Sequence, residues 1–231
     1  MKSPLVIVLL CFAIQIVAGQ PKVIHSKYSK NDIIINGLED EMAWSGADSI
    51  SFNGNICNSK NVVVVKTLWN NDFLYFLFKV SDENLQAHQT EQDHPQLFLD
   101  DMVELLIDTT NDKDSCWNED KIIYHINLLG AKKDDRGTAD CFSDPAWNGN
   151  AVYSVKLFGT LNSSEDIDSG YNVEIAVPWP ELGVSPENNL VLGVNFANGD
   201  NNNNGRQLFD WVGAYTLRSP QLFGNLLLSA P

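Results

Sequence analysis

Short runs in which apolar and polar residues alternate are the feature that most constrains how this chain can fold. YSVKLF and YNVEIAV, which begin at Tyr153 and Tyr171, are two such runs. Successive side chains of a β-strand point to opposite faces, so this period predicts strands with one buried face. The residues predicted to be buried are Tyr153, Val155, Leu157, Tyr171, Val173, Ile175 and Val177.

Further apolar runs are separated by turn residues. VVVVKTLW and FLYFLFKV flank Asn70-Asn71-Asp72, whose side chains suit a tight turn, so a hairpin from Val62 to Val80 is predicted. LVLGVNFAN and FGNLLL add two more strands. About ten short strands with little helical periodicity predict an all-β, antiparallel β-sandwich of jelly-roll-like type.

The stretch LFLDDMVELLIDTTND mixes strand-forming aliphatic residues with acids. Val103, Leu105 and Ile107 are expected on a core face, and Met102, Glu104, Leu106 and Asp108 on a mixed outer face. The next strand, KIIYHINL, matches it best when the numbers of paired residues sum to 229. This register places Glu104 opposite His125 and Asp108 opposite Lys121.

The acids of this strand do not form a hydrolase pair. Glu104 and Asp108 are four residues apart, which is about 13 Å along a strand. Glycoside hydrolases hold their two carboxyl groups roughly 5 to 9.5 Å apart. A carboxylate partner from another strand stays open, but no sequence signal identifies one, so the chain is predicted not to be an enzyme.

The charge and the N-terminus exclude other classes. A net charge of -15 repels nucleic acid and anionic membranes, so neither is expected as a partner. Residues 1–19 have the lysine, short apolar run and Val17-Ala18-Gly19 end of a secretory signal peptide. A secreted, extracellular single domain over residues 20–231, without a membrane anchor, is predicted.

Three cysteines remain after the signal peptide. Cys116 and Cys141 flank one segment and are the preferred disulfide, although three cysteines allow three pairings. Cys57 would then be buried or would join two chains. Asn162-Ser163-Ser164 is an N-glycosylation acceptor between two predicted strands.

The order of these motifs resembles the family 9 carbohydrate-binding modules, β-sandwich domains often attached to xylanases. The resemblance covers nearly all of the mature chain. The matching segments are INGLEDEMAW, TLWNNDFLYFLFKVSDENL, DDMVELLID, GYNVEIAVPWPELG, LGVNFANGDNNNNGRQ and FGNLLL. Asn36 replaces the Asp that usually begins the first of them.

The resemblance implies a site for polysaccharide in which two tryptophans hold the sugar. The first falls near Phe98 and the second near Leu217, which has no ring, unless Trp211 or Tyr215 supplies one. The carbohydrate-binding residues expected on this basis are Phe98, Glu104, His125, Arg206 and Trp211. Trp44, Trp69 and Trp179 are expected in the core, and Trp117 and Trp147 remain an alternative platform.

A structural calcium ion is also expected, because family members commonly carry one. DNNNNG, from Asp200 to Gly205, resembles the first half of a calcium loop, but Trp211 stands where an EF-hand has its bidentate glutamate. The two candidate ligand sets are Asp200, Asn202 and Asn204, and Asp108, Asp112 and Asp114. Asn-rich turns also form without any metal.

The function predicted from the sequence is secreted, non-catalytic binding of carbohydrate, in support of a separate secreted glycoside hydrolase. The alternative is an extracellular structural or interaction protein on the same fold that has lost sugar binding. A haem-binding relative is least favoured, because Met102 faces Asn127 rather than His125 in the predicted register.

Overall fold

Strands account for most of the structure. The computed structural model describes residues 21–202, 205–214 and 217–230, so the predicted signal peptide lies outside the described residues. The strands are β1 (Val23–Tyr28), β2 (Ser49–Asn53), β3 (Val62–Trp69), β4 (Phe73–Ser81), β5 (Met102–Asp108), β6 (Lys121–Asn127), β7 (Lys132–Gly137), β8 (Ser143–Asp144), β9 (Val152–Phe158), β10 (Gly170–Pro178), β11 (Val191–Asn202), β12 (Gly205–Asp210) and β13 (Gly224–Ser229).

Helices are few and short. The structure describes two one-turn α-helices, α1 (Met42–Ser45) and α2 (Trp179–Leu182). Short 3-10 helices occur at Asn55–Cys57, Leu97–Leu99 and Pro220–Leu222. Among the described residues, no helix has the length and apolar character that crossing a bilayer requires. The predicted all-β class is confirmed, and the described residues form thirteen strands rather than about ten.

The strands form one curled sheet whose two halves pack face to face. Its order is β8-β7-β6-β5-β11-β13-β1-β3-β4-β10-β9, with β12 added to β11 and β2 to β3. Phe196 of β11 joins the halves, because its ring lies 5.9 Å from Phe76 and 5.7 Å from Phe78 of β4. Contacts of this kind bury apolar area, which is the main stabilising term in such a fold.

The predicted pairings of neighbouring strands are confirmed. β3 and β4 form the hairpin around Asn70, whose side-chain oxygen accepts hydrogen bonds from the backbone of Asp72 and Phe73. β5 and β6 pair in the predicted register, with Glu104 opposite His125. Val103, Leu105 and Ile107 lie in the main core as predicted.

The second face of β5 is not exposed, which corrects the expectation of a solvated outer face. Met102, Leu106 and Asp108 are fully buried, and Glu104 is 1% exposed. Trp117 and Phe223 pack on Leu106 to form a small apolar cluster there. Alternation alone did not predict this cover, since it comes from the loop that follows β5 and from the segment before β13.

The segment before β2 closes the outer face of the other half-sheet. Trp44 of α1 is fully buried, and its indole N–H donates to Oε1 of Glu174 at 3.0 Å. Oε2 of Glu174 accepts the backbone N–H groups of Asn36 and Gly37. Two sequence motifs that are far apart in the chain therefore meet at one buried carboxylate on β10.

The cysteines follow the preferred pairing. Cys116 and Cys141 form a disulfide, and Cys57 is a half-buried free thiol next to the carbonyl of Gly54. The bridge closes the loop between β5 and β6 onto the turn between β7 and β8. Constraining the unfolded chain over a loop of this size stabilises the folded state by about 3 kcal/mol.

Candidate functional site

Three neighbouring strands place one polar residue each in a row. Glu104 of β5 pairs with His125 of β6, and His125 pairs with Lys133 of β7. Residues directly opposite each other in antiparallel strands point to the same face of the sheet. The register therefore carries a carboxylate, an imidazole and an ammonium across one face, on the opposite side from the main core.

Glu104 lies beneath this face. Its side chain is 1% exposed, with His125 Nδ1 at 3.4 Å from Oε2 and Arg206 Nη2 at 3.7 Å from Oε1. Oε2 accepts no hydrogen bond within the part of the chain that the structure describes. A buried carboxylate with an open acceptor is costly unless donors approach it, so Glu104 holds His125 and Arg206 in place and is not itself presented to solvent.

Phe98 supplies an exposed ring beside these groups. It lies in the 3-10 turn Leu97–Leu99, and it is 46% exposed while its neighbour Leu97 is buried. The guanidinium of Arg206 on β12 lies 5.5 Å from the ring centroid, and its Nε–H donates to the carbonyl of Phe98. The structure thus brings together four of the residues predicted to bind carbohydrate, Phe98, Glu104, His125 and Arg206.

A shallow depression opens next to the Phe98 ring. It is lined by Leu97, Phe98, His125, Lys133, Asp135, Ser143, Pro145 and Arg218. Lys133, Asp135 and Arg218 were not singled out from the sequence. The available signal was the alternation of β7, which places Lys133 and Asp135 on one face two residues apart.

Trp211 does not belong to this site, which corrects its assignment as a sugar-binding residue. It is 5% exposed and packs in the main core, with its ring 5.5 Å from that of Phe196. The cause of burial is Gly224, whose missing side chain leaves room for the indole ring.

The second ring of a two-sided clamp is absent from the described residues around Phe98. Leu217 packs on the apolar cluster around Trp117, and Tyr215 lies outside the described residues. Trp117 is 5% exposed and donates from its indole N–H to Asp135, so it is not a platform. Trp147 is half-buried against Tyr124.

A second polar cluster consists of Asp82, Asp101 and Asp200. All three are buried, and each offers an oxygen within 4.8 Å of the others. Burial, together with the charge of Asp82, raises the pKa of Asp101 to about 9. Burial also raises the pKa of Asp82 to about 6.

This cluster has the ligand atoms that calcium prefers. Three carboxylates supply hard oxygen ligands, and among the described residues no Lys, Arg or His forms an ion pair with them. Like charges at this distance in a buried place repel one another strongly, and a divalent cation would offset that repulsion. The residues present therefore fit a calcium ion.

The ligand set differs from the one expected in the Asn-rich loop. Asp200 belongs to the cluster, while Asn202 donates its side-chain N–H to Asp200 Oδ2 at 2.9 Å. Asn204 lies outside the described residues. Asp82 and Asp101 stood in family motifs in the sequence, but nothing in their local spacing marked them as partners of Asp200.

The other expected metal set already contains a cation. Lys121 is fully buried, and its Nζ lies 2.8 Å from Asp112, 2.8 Å from Asp120 and 3.5 Å from Asp108. Burial disfavours the charged ammonium, but hydrogen bonds to Asp112 and Asp120 outweigh it and raise the pKa of Lys121. The ammonium thus lies where a metal was predicted.

Asp114 is not part of this group, which corrects its assignment. Its Oδ1 accepts a hydrogen bond from the backbone N–H of Cys116. Asp120, which the sequence prediction missed, takes its place beside Lys121. Asp120 directly precedes Lys121, whereas the prediction looked only at the run of acids that follows β5.

Asn162 lies on the exposed loop between β9 and β10. Its amide exchanges two hydrogen bonds with the backbone of Ala87, accepting at 3.0 Å and donating at 2.7 Å. The amide therefore ties this loop to the segment that follows β4. N-glycosylation of Asn162 stays a prediction.

Comparison with known proteins identifies relatives over most of the chain. The family model described as "Carbohydrate family 9 binding domain-like" matches residues 35–230. Endo-1,4-beta-xylanase A of Thermoanaerobacterium saccharolyticum is 26% identical over 85% of this chain and 15% of its own length. Endo-1,4-beta-xylanase A of Thermotoga maritima is 29% identical over 84% of this chain and 17% of its own length. The chain thus spans less than a fifth of these relatives.

Solved structures share the fold. A family 9 carbohydrate-binding module of Caldicellulosiruptor kristjanssonii in complex with cellotriose matches with a TM-score of 0.70 and 20% identity, covering 91% of this chain and 95% of that one. A putative carbohydrate-binding protein of Bacteroides uniformis matches with a TM-score of 0.67 and 12% identity, covering 91% and 100%. At these identities the likeness concerns the fold.

Proposed function

We propose that this chain, which belongs to the carbohydrate family 9 binding domain-like family, is a secreted module that binds a saccharide at the face around Phe98. The family is one of non-catalytic carbohydrate-binding modules, so the prediction that the chain is not an enzyme is confirmed. The supporting observation for the site is the exposed Phe98 ring beside a buried carboxylate, Glu104, that holds two donors.

Each group has a role in this proposal. The apolar C–H face of a pyranose stacks on the Phe98 ring, as aromatic side chains bury apolar surface well. His125 and Arg206 donate N–H groups to sugar hydroxyls. Glu104 positions both donors from below, since a buried acceptor fixes the orientation of the groups that approach it.

Calorimetric titration with glucose, cellotriose and xylotriose tests the site. Phe98→Ala is expected to weaken binding about tenfold, because it removes the stacking surface. Phe158→Ala is the matched control, since Phe158 of β9 is 41% exposed and lies on the other half of the sheet. Equal loss in both variants, or no loss in Phe98→Ala, would contradict the assignment.

The second candidate function is an extracellular structural or interaction role without sugar binding. The observation that favours it is Leu217, which packs in an apolar cluster where a second ring would be expected from the family resemblance. Absence of binding to every saccharide in the titrations, with the protein folded, would favour this candidate over the first.

We also propose that calcium binds to Asp82, Asp101 and Asp200 in a structural role. The supporting observation is that three buried carboxylates converge and no basic side chain of the described residues pairs with them. The ion would join the end of β4, the start of β5 and the hairpin of β11 and β12, which carries Arg206. It would thus hold one side of the sugar site.

The cellular setting is proposed from the N-terminal sequence, and the partner from the relatives. The N-terminal segment has the composition of a signal peptide, which supports secretion. The similarity to xylanases supports the proposal that the protein assists a separate secreted glycoside hydrolase. Co-sedimentation of the purified protein with insoluble cellulose or xylan, with and without such an enzyme, tests the partner.

A further inference from the structure

We propose that the site around Phe98 selects saccharides that carry a negative charge, either a carboxylate or a sulfate ester, over neutral ones. The inference rests on the proposed function, because it concerns the substrate class of the same site. It follows from the charges that surround the depression, from how they are paired, and from the missing second ring.

Three basic side chains lie beside the Phe98 ring or line the depression next to it. Lys133 and Arg218 line the depression, and Arg206 lies over the ring. They come from β7, from the segment before β13 and from β12, so the fold brings them together and no basic run in the sequence does. The chain as a whole has 30 acidic and 15 basic residues. A group of three basic side chains is therefore opposite in charge to the chain as a whole.

The two carboxylates of the site are already compensated. Asp135 accepts from the indole N–H of Trp117 and forms an ion pair with Arg218. Glu104 lies close to both His125 and Arg206. Both carboxylates are buried, whereas the Arg218 side chain is 42% exposed, so the cations and not the anions face solvent.

Lys133 is the cation without a counter-charge. Among the residues that the structure describes, no carboxylate forms an ion pair with it, although it lies in the same row as His125 and Glu104. An ammonium group that lines the same depression as the stacking ring can donate charge-assisted hydrogen bonds to an anionic substituent on the stacked sugar. Such bonds are roughly twice as strong as neutral ones.

Charge would also offset the loss of one stacking surface. Leu217 packs in an apolar cluster and offers no ring, so a sugar on Phe98 is stacked on one side only. A neutral sugar then gains only weak hydrogen bonds that compete with water. A sugar acid gains in addition a charged contact with Lys133, which screening by salt weakens.

The experiment compares matched neutral and acidic sugars. Calorimetric titration of the wild-type protein at low salt uses D-glucose against D-glucuronate, which differ only at C6, and trigalacturonate against its methyl ester. Glucose 6-sulfate separates the sulfate source from the carboxylate source. The acidic member of each pair is expected to bind about tenfold more tightly, and the difference is expected to shrink as salt is added.

Lys133→Gln removes the charge at similar length. It is expected to remove the preference, so that glucuronate and glucose bind this variant with equal affinity. Lys30→Gln is the matched control, because Lys30 is exposed on the turn after β1 and lies outside the depression. This control is expected to keep the full preference for the acidic sugar.

The outcomes separate this inference from the proposed function. Equal binding of neutral and acidic sugars, or a preference that survives in Lys133→Gln, overturns the inference and leaves carbohydrate binding in place. Absence of binding to neutral and acidic sugars alike overturns the proposed function, and the inference with it. A preference lost in Lys133→Gln and kept in Lys30→Gln supports both.

Discussion

Lys121 is the clearest case of a single side chain that takes the place of an expected metal ion. Its ammonium group lies among Asp108, Asp112 and Asp120 with no solvent exposure. A run of acids at the end of a strand is the same signal in the sequence whether the cation is a metal or a lysine. Only the pairing of β6 with β5, which places Lys121 opposite Asp108, distinguishes the two.

Lys121→Met is predicted to destabilise the protein by about 3 kcal/mol, because it leaves the fully buried carboxylate of Asp108 without its counter-charge. Urea unfolding at pH 7 measures this loss. The double variant Lys121→Met/Asp108→Asn is expected to recover part of it, since both charges are then absent. A loss in the single variant as small as that of Lys30→Met, on the surface, would contradict the prediction.

Predictability from sequence differed among the site residues. Phe98, Glu104, His125 and Arg206 could be brought together because a strand register and a family resemblance fix their places. Trp211 could not be placed, since its burial depends on room left by Gly224 on another strand. Lys133 could not be chosen either, because a lysine on an alternating strand is ordinarily a solvated surface residue.

At the scale of elements, the segment from Asn36 to Trp44 acts as a cover for β3, β4 and β10. Trp44, Asn36 and Gly37 bind Glu174 of β10. Glu39 forms ion pairs with Lys66 of β3 and Lys79 of β4. The segment is thus attached to each of the three strands by charge or hydrogen bonds as well as by apolar packing.

Glu39 is predicted to make stability depend on pH in the acid range. Burial alone would raise its pKa, but hydrogen bonds and charge from Lys66 and Lys79 outweigh this and lower the pKa below its ordinary value of 4.5. The unfolded chain therefore binds the proton more readily than the folded one. The contribution of Glu39 is full above pH 4.5 and is lost as the pH falls through the lowered value.

Glu39→Gln is expected to cost up to about 1 kcal/mol at pH 7 and almost nothing at pH 2 to 3, by urea unfolding at each pH. Glu83→Gln serves as control, since the pair of Glu83 with Lys60 is widely exposed. Its expected effect is close to zero at every pH. A Glu39→Gln cost that stays constant across the acid range would show that the carboxylate charge is not involved.

Elements were the most predictable scale. The hairpin of β3 and β4 and the pairing of β5 with β6 follow from local alternation and turn chemistry, because slipping by one residue would turn every side chain to the wrong face. The thirteen-strand order does not follow in the same way. β1 pairs with β13 and β3 through contacts between distant parts of the chain, which leave no local pattern.

For the molecule as a whole, the calcium proposal predicts a stability that depends on the metal. Adding calcium at about a hundred times its dissociation constant is expected to stabilise the wild-type protein by about 3 kcal/mol, and a chelator is expected to reverse this. Differential scanning calorimetry measures both. No change of the melting temperature with calcium or chelator would contradict the proposal.

Asp101→Asn refines this test. It replaces a carboxyl whose pKa is raised to about 9, and which is therefore protonated at neutral pH when no metal is bound, by a neutral amide. In chelator the variant is therefore expected to be about as stable as the wild type, while in calcium the wild type, which can supply a carboxylate ligand, becomes the more stable. Asp114→Asn is the control, because Asp114 lies outside the cluster, and it is expected to keep the full response to calcium. The cluster itself was not predictable from spacing, since Asp82, Asp101 and Asp200 come from three separate segments.

The position of β1 has a kinetic consequence. This first strand lies between the last strand, β13, and β3, with Val23 opposite Asn225. The curled sheet can be completed only after nearly the whole described chain has been synthesised, and the contact order is correspondingly high. Chains of this kind fold slowly, and until the last strand arrives both of its neighbours present open edges on which a second chain can aggregate.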